Sequence, residues 1–198
     1  MIEGVLLPPL MADLAKSAPL VQIVFRPPNP KNLEMLLSEG EVDLAIGYLP
    51  DAPLRLMRSI VFHDPFACIA RQGHPQLPAD HFPLDRFVEL QHVQVLPRDA
   101  TMYAAPIDAA LGAQGLVRSI ALWHPSFQVV AAIVATTDLI ATLPRRLALR
   151  AAEQYPIAVY EPPIQLPAAD FALFWHARSQ EDSGHKWLRA KVAVLLRN

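Results

Sequence analysis

Hydrophobic and polar positions follow two different periods along the chain, and together they predict an α/β fold. Residues 32–39 carry leucines at helical spacing, with glutamates on the opposite face, so a helix is predicted there. Gly40 is expected to end this helix, because glycine enters the left-handed C-terminal position without steric cost. The apolar run 42–46 that follows is typical of a strand buried on both faces of a parallel sheet. Gly47 and Tyr48 are then predicted at the C-terminal end of the strand, where open α/β sheets bind ligands.

The same two periods continue over the rest of the chain and predict further helices and strands. Because proline is tolerated in a first helical turn, Pro8 and Pro9 place the start of the first helix near Leu7. The further predicted helices cover 2–16, 84–90, 101–114, 126–135, 144–153 and the segment from Ser183 onward. The further predicted strands cover 21–25, 54–62, 65–70, 92–96, 118–123, 139–143, 156–161 and 170–177. This alternation indicates an α/β architecture with largely parallel sheets.

Composition narrows the class of protein. The chain has 198 residues, of which 53% are hydrophobic and 18% are charged, so it is expected to be globular. Its net charge of -2 lacks the basic excess of a nucleic-acid-binding module, and its local basic group (Arg145, Arg146 and Arg150) is explained by a solvated helix face. The lone Cys68 lies in an apolar run and is predicted to be a buried small hydrophobe. No secretory signal or apolar run of about 20 residues is visible, which favours a cytoplasmic protein.

Catalytic and metal-binding patterns are weak. The seven histidines form no short metal pair, so neither a metal nor a cofactor is expected. Ser126, His124 and Asp138 are a conceivable hydrolase set, but no G-x-S-x-G turn carries the serine, and a serine at a helix start is usually a cap. We therefore expect binding rather than catalysis, and no enzyme activity.

Four ordered motifs carry a resemblance to a known family. They are N-L-x-x-x-L-x-x-G-x-V-D-L-A-I-G at 32–47, Gly73-His74-Pro75, the run at 137–148, and the pair of segments 174–178 and 185–189. Over nearly its whole length the chain resembles the effector-binding domain of LysR-type transcriptional regulators, most closely the branch that responds to aromatic compounds. The resemblance implies a two-lobed type 2 periplasmic-binding-protein fold joined by two crossover strands. Lobe I is expected at 1–68 with 145–198, and lobe II at 69–144.

The resemblance also implies an effector pocket between the lobes, lined by helix starts and by residues that follow strand ends. Helix N-termini attract anions through unpaired amides and a partial positive charge. The aromatic candidates are expected to sandwich a flat ring, while Thr101 and Ser126 offer hydroxyl groups. The candidate effector-binding residues are Gly47, Tyr48, Thr101, Met102, Tyr103, Ser126 and Phe127.

The function that follows from the resemblance is sensing a small, aromatic and anionic effector to control transcription. DNA would be bound only through an N-terminal winged helix-turn-helix that this sequence does not contain. A homodimer or homotetramer is implied, with the leucine stripe of the first helix (Leu6, Leu7, Leu10 and Leu14) partly covered by a partner subunit. Two alternatives remain open at this point: a solute-binding protein serving a transporter, and an aromatic-pathway enzyme of the same fold, such as a dehydratase.

One element of the resembled fold is missing from the sequence. That fold has a strand before the first helix, placed centrally between the strands predicted at 21–25 and 42–46. The sequence begins at the helix, so we expect the natural polypeptide to extend upstream. A gap or another segment is expected between 21–25 and 42–46, rather than direct pairing of the two.

Overall fold

The polypeptide forms two compact units, Met1–His63 with Asp170–Asn198, and Asp64–Ala169. The computed structural model describes residues 2–26, 32–50, 52–95 and 104–197. The helices are α1 Ile2–Ser17, α2 Leu33–Glu39, α3 Leu84–Glu89, α4 Ala104–Gly112, α5 Phe127–Thr136, α6 Arg145–Gln154 and α7 Ser183–Arg197. The strands are β1 Ala45–Tyr48, β2 Leu56–Asp64, β3 Phe66–Arg71, β4 Gln91–Val95, β5 Ser119–His124, β6 Ala141–Pro144, β7 Ile157–Tyr160 and β8 Ala169–His176. The predicted α/β class is confirmed.

The first unit is built on a three-stranded sheet in the order β1-β8-β2. Helices α1 and α7 pack on it around a shared apolar core, whose buried members include Leu6, Leu10, Leu14 and Trp175. Three of the four leucines in the stripe are therefore buried in the core of their own unit, and Leu7 is half-buried. A hydrogen-bonded ion pair between the Lys191 ammonium and the Asp13 carboxylate joins the two helices at their rim.

Helix α1 begins earlier than the two prolines suggest. It starts at Ile2, as the apolar pattern over 2–16 predicts, and includes Pro8 and Pro9, so the start near Leu7 inferred from the prolines is wrong. Leu6 is only 2% exposed and packs into the core of the unit. Burial of this side chain stabilises the turn that precedes the two prolines, which local propensity alone would leave unfolded.

Helix α2 ends as the sequence predicts. Gly40 adopts a left-handed conformation with φ +81°, and its N–H donates to the carbonyl of Leu36 at 3.1 Å. The Arg178 guanidinium lies against this glycine, since a Cβ built on Gly40 would come within 2.1 Å of Arg178 Nη2. Both the positive φ and the close approach therefore require glycine here.

The segment 21–26 forms no strand, so the predicted strand at 21–25 is wrong. Leu20 and Val24 are 93% and 79% exposed, and Ile23 alone in this stretch packs against the core. Among the described residues β1 pairs with β8 and with no other strand, so the two segments do not pair directly. A strand needs a neighbour to satisfy its backbone amides, and none of the described residues supplies one to this segment.

The second unit contains β-structure covered by helices on both faces. Strands β6, β3 and β7 form one sheet in that order, β4 pairs with β5, and a bridge between His92 and Ile140 joins the two groups. One face packs against α5 and α6, and the other packs against α3 and α4. Residues 66–70 of β3 are therefore all buried, which explains their continuous apolar sequence, and only Arg71 at the end of the strand is partly exposed.

Strand direction differs from the expectation of largely parallel sheets. Strand β4 runs parallel to β5, but β3 runs antiparallel to both β6 and β7, and β1 runs antiparallel to β8. Parallel neighbours need a crossover helix between them. Strand β3 follows β2 after Pro65 alone, and β8 follows β7 without an intervening helix. β3 and β8 are the central strands of their sheets, and the chain enters neither of them through a crossover helix.

The unit boundary also differs from the lobe bounds drawn from the sequence. Segment 145–169, assigned there to lobe I, packs in the second unit because β7 pairs with β3 and α6 packs on the same strands. The start of α6 is fixed within that unit by buried Asp64, whose carboxylate accepts the N–H of Arg146 at 3.2 Å. Asp64 thus serves as the helix cap that the local sequence, with Pro144 at the N-cap position, lacks.

Candidate functional site

Gly47 and Tyr48 lie inside strand β1 rather than after it. Their Cα partners in the antiparallel β8 are Ala172 and Phe171, so the ladder extends to the last residue of the strand. The Tyr48 side chain is 7% exposed, and its ring centroid is 6.3 Å from that of Phe171. They are the last two residues of β1, as predicted for the C-terminal end of the strand, but pairing with β8 continues to Tyr48, so neither of them follows the strand. Tyr48 belongs to the packing of the first unit.

Ser126 caps helix α5, as the sequence predicts. Its Oγ accepts the N–H of Val129 at 3.4 Å, and its own N–H donates to His124 Nδ1 at 3.1 Å. Because Nδ1 is the acceptor, a neutral His124 carries its proton on Nε2. The Ser126 hydroxyl proton stays free of the cap bond, so this side chain can still donate a hydrogen bond.

The electrostatic character of this helix start suits an anion. Helix α5 has no acidic residue in its first turn, so its own side chains do not compensate the partial positive charge of its N-terminal amides. Strand β5 ends at His124, and Ser126 stands between that strand and the helix. The arrangement of strand end, hydroxyl and helix N-terminus can bind a carboxylate.

Phe127 combines two environments. It is the first residue of α5, is half-buried, and packs against the apolar core formed with α6. Phe127 therefore contributes to the core of the second unit while part of its side chain stays exposed.

Thr101, Met102 and Tyr103 lie outside the described residues. The elements on either side are described: β4 ends at Val95 and α4 begins at Ala104. The three residues therefore follow a strand and precede a helix in the chain, as Ser126 does.

The residues of the hydrolase alternative make other bonds. Asp138 accepts from Arg71 Nε at 2.7 Å, and His124 Nδ1 accepts from the Ser126 backbone rather than from its hydroxyl. Cys68 is fully buried, and burial raises the pKa of its thiol to about 12, so it is an inert core residue, as predicted. Within the described ranges no three His, Cys, Asp or Glu side chains come together as metal ligands.

Buried polar groups of the second unit were missed by sequence reasoning. His92 is fully buried and its Nδ1 has no partner in the part of the chain that the structure describes, and the guanidinium of Arg118 lies between Asp108 and Gln94. These residues come from separate elements, and no local pattern marks them. Trp187 is 38% exposed, and Lys191 Nζ lies 4.8 Å from its ring centroid.

A shallow depression of about 180 Å³ lies in the first unit. Its lining is mostly apolar, with one cationic side chain that is already paired, since Arg58 Nη2 lies 3.4 Å from Asp170 Oδ2. The lining residues are Ala52, Pro53, Leu54, Leu56, Arg58 and Phe174. Among the described helices, none has both the length and the apolar character that a membrane span requires.

Comparison with known families gives a match over nearly the whole chain. Residues 1–194 match the model of the LysR substrate binding domain. The chain belongs to this family. The resemblance carried by the four sequence motifs is therefore confirmed, and with it the type 2 periplasmic-binding-protein-like fold.

Relatives of this LysR substrate-binding domain are named transcriptional regulators. The chain is 35% identical over 187 residues to the HTH-type transcriptional activator NagR of Ralstonia sp., covering 94% of this chain and 61% of NagR. It is 32% identical to the HTH-type transcriptional activator NahR of Pseudomonas putida, covering 92% of this chain and 60% of NahR. The chain thus spans less than two thirds of the length of these relatives.

A solved structure agrees with the fold of this LysR domain. The crystal structure of the regulatory domain of MexT, a transcriptional activator in Pseudomonas aeruginosa, is similar with a TM-score of 0.84 and 25% identity. The match covers 98% of this chain and 94% of the MexT chain. The chain therefore corresponds to a regulatory domain rather than to a complete regulator of the length of NagR.

Proposed function

We propose that this domain senses a small aromatic carboxylate for a LysR-type transcriptional regulator. The single observation that carries the proposal is the start of α5, where the Ser126 hydroxyl, whose proton the cap bond does not use, and helix amides with no acidic side chain in the first turn follow a strand end. Phe127 beside it is a half-buried aromatic residue of the same helix start, a residue type that packs against aromatic groups. Family membership and the regulator names of the relatives support the regulatory role.

The proposed effector-binding set is the one predicted from the sequence. Its members in the second unit supply hydroxyls, helix amides and aromatic rings, and its members in the first unit belong to β1. The set is Gly47, Tyr48, Thr101, Met102, Tyr103, Ser126 and Phe127.

The role of the whole regulator forms part of the proposal. The domain acts in the cytoplasm as part of a homodimer or homotetramer, and an N-terminal winged helix-turn-helix of the full protein binds DNA. Effector binding favours one arrangement of the domain, and this bias changes how the DNA-binding parts are held. The domain binds and releases its effector without catalysis. Asp138 is bonded to Arg71 and His124 to the backbone N–H of Ser126, and these bonds support the absence of a catalytic set.

Thermal unfolding with benzoate, phenylacetate and cinnamate tests the proposal. A ligand at about 100 times its Kd stabilises the folded state by roughly 2.7 kcal/mol, which raises the Tm of a domain of this size by roughly 5–10 °C. Ser126→Asp keeps a good helix cap but places a negative charge where the carboxylate would bind, so it should abolish the shift. Ser126→Ala should reduce it.

The matched control is Thr136→Ala at the opposite end of the same helix. Thr136 is exposed, and its hydroxyl donates to the carbonyl of Ala132 at 3.1 Å within the helix. This variant should retain the full ligand shift. An absent shift with all three acids, or an undiminished shift in Ser126→Asp, would contradict the proposal.

A further inference from the structure

A histidine side chain holds the turn between β5 and α5. Strand β5 ends at His124 and helix α5 begins at Phe127, so the chain passes from strand to helix over Pro125 and Ser126 alone. The N–H of Ser126 donates to Nδ1 of His124 at 3.1 Å. Within the part of the chain that the structure describes, the His124 side chain forms no other hydrogen bond. Hydrogen bonding by this imidazole is therefore directed at the backbone of Ser126.

The bond closes a turn of the kind that asparagine usually forms. An asparagine side chain often accepts the backbone N–H two positions further along the chain, in an Asx turn. Imidazole Nδ1 is attached to Cγ, as Oδ1 of asparagine is, so it reaches the same N–H. His74 Nδ1 accepts the N–H of Gln76 at 3.2 Å in the same way. His176 Nδ1 likewise accepts the N–H of Arg178 at 3.3 Å. This chain therefore uses histidine where an Asx turn would place asparagine.

The turn constrains the backbone that carries the Ser126 hydroxyl. Ser126 has φ -98° and ψ 119°, the extended conformation of a helix N-cap, and its Oγ accepts the N–H of Val129 at 3.4 Å. This cap bond holds Ser126 from the helix side, and the shorter bond to His124 holds it from the strand side. Pro125 between them contributes its fixed φ. Together these constraints define where the Ser126 hydroxyl lies.

We propose that His124 is a positioning residue for effector binding, which it serves by holding Ser126 in the conformation that offers its hydroxyl. The inference rests on the proposed function, because Ser126 belongs to the proposed effector-binding set and His124 does not. Without the Nδ1 acceptor the turn samples other conformations, and the arrangement that binds the effector is less populated. If that population falls to about a fifth, the apparent Kd rises about fivefold. Loss of one hydrogen bond shifts an equilibrium by roughly two- to twelvefold, so this change is of the expected size.

His124→Asn and His124→Leu form a matched pair of variants. The two new side chains have the same branched shape and nearly the same size, but only the amide can accept the N–H of Ser126. His124→Asn should therefore retain the turn, and His124→Leu should lose it. Any effect of removing the imidazole itself is common to both variants.

His176→Leu is the control for loss of the same kind of bond elsewhere. The His176 bond lies at the end of β8 in the first unit, where it caps a short 3-10 turn over Ala177–Ser179. None of these residues is in the proposed effector-binding set. His176→Leu therefore removes a comparable bond and leaves the start of α5 intact.

The first experiment needs no ligand. Exchange of the Ser126 amide with water, measured by NMR, should be several-fold slower in the wild type and in His124→Asn than in His124→Leu. The nitrogen shifts of the neutral His124 imidazole should place its proton on Nε2. Equal exchange of the Ser126 amide in all three proteins, or a proton on Nδ1, overturns the proposal whether or not an aromatic acid binds.

The second experiment measures the Kd of benzoate by calorimetry at a temperature where all variants are folded. His124→Leu should bind about fivefold more weakly, whereas His124→Asn and His176→Leu should bind like the wild type. Equal affinities in all variants would overturn the positioning role, and so would equally weak binding in both His124 variants. Failure of the wild type to bind benzoate, phenylacetate or cinnamate would instead count against the proposed effector class, and exchange of the Ser126 amide would then decide alone whether His124 holds Ser126.

Discussion

Acidification should destabilise this domain through His92. The side chain is fully buried, its ring stands edge-to-face on Phe87, and Nε2–H donates to the carbonyl of Phe87 at 2.7 Å. Nδ1 has no partner among the described residues. Burial lowers the pKa of His92 from the usual 6.5 to about 4. The native state therefore holds this imidazole neutral.

The sign of the effect follows from where protons bind. Between pH 6.5 and about 4 the unfolded chain binds a proton at His92 that the folded chain does not, so stability falls as pH falls through 6.5. Each unit of pKa difference corresponds to about 1.4 kcal/mol. The unfolding free energy should therefore drop by roughly 2 kcal/mol from pH 7 to pH 5 and by roughly 3 kcal/mol to pH 4.

Urea unfolding at pH 7, 6 and 5, followed by circular dichroism and tryptophan fluorescence, measures this loss. His92→Gln removes the titrating group and retains a donor for the carbonyl of Phe87, so its stability should depend less on pH by that amount. The control is His81→Gln, since His81 is an exposed histidine of the same unit. Parallel loss of stability in the wild type and in His92→Gln would refute the assignment of the acid lability to this buried imidazole.

Three further outcomes follow from the described contacts. Gly40→Ala should cost about 1 kcal/mol or more in urea unfolding, because φ is positive and Arg178 must move; an unchanged midpoint would contradict this. Burial raises the pKa of Asp64, so the native state keeps its proton more tightly and stability falls as pH rises from 3.8 through the raised value. Asp64→Asn, which still accepts the Arg146 N–H, should be more stable than the wild type at pH 7 but not below pH 4, and lower stability at pH 7 would argue against desolvation. Val24→Thr should change the unfolding free energy by less than about 0.5 kcal/mol in urea unfolding, whereas a large destabilisation would mean that this valine is packed.

The features that the sequence predicted depend on contacts within a few residues. The left-handed end of α2 at Gly40 and the Ser126 cap of α5 each involve backbone groups no more than four positions away. Such features depend on local chemistry, which the sequence shows directly. The same holds for the alternation of helices and strands, which indicated the α/β class.

Tertiary structure alone decided the features that need a distant partner. Strand direction and extent depend on which strand lies alongside, so the sequence did not show that β1 runs antiparallel to β8 or that their pairing extends to Tyr48. Whether Val24 is exposed or covered depends on which distant residues lie beside it, and the local sequence does not specify them. Arg118 looks like an ordinary surface cation in the sequence, yet it is buried, because its acceptors come from α4 and β4. Hydrophobic periodicity reports which side of an element is covered, but the identity of the covering groups follows from the way the elements pack.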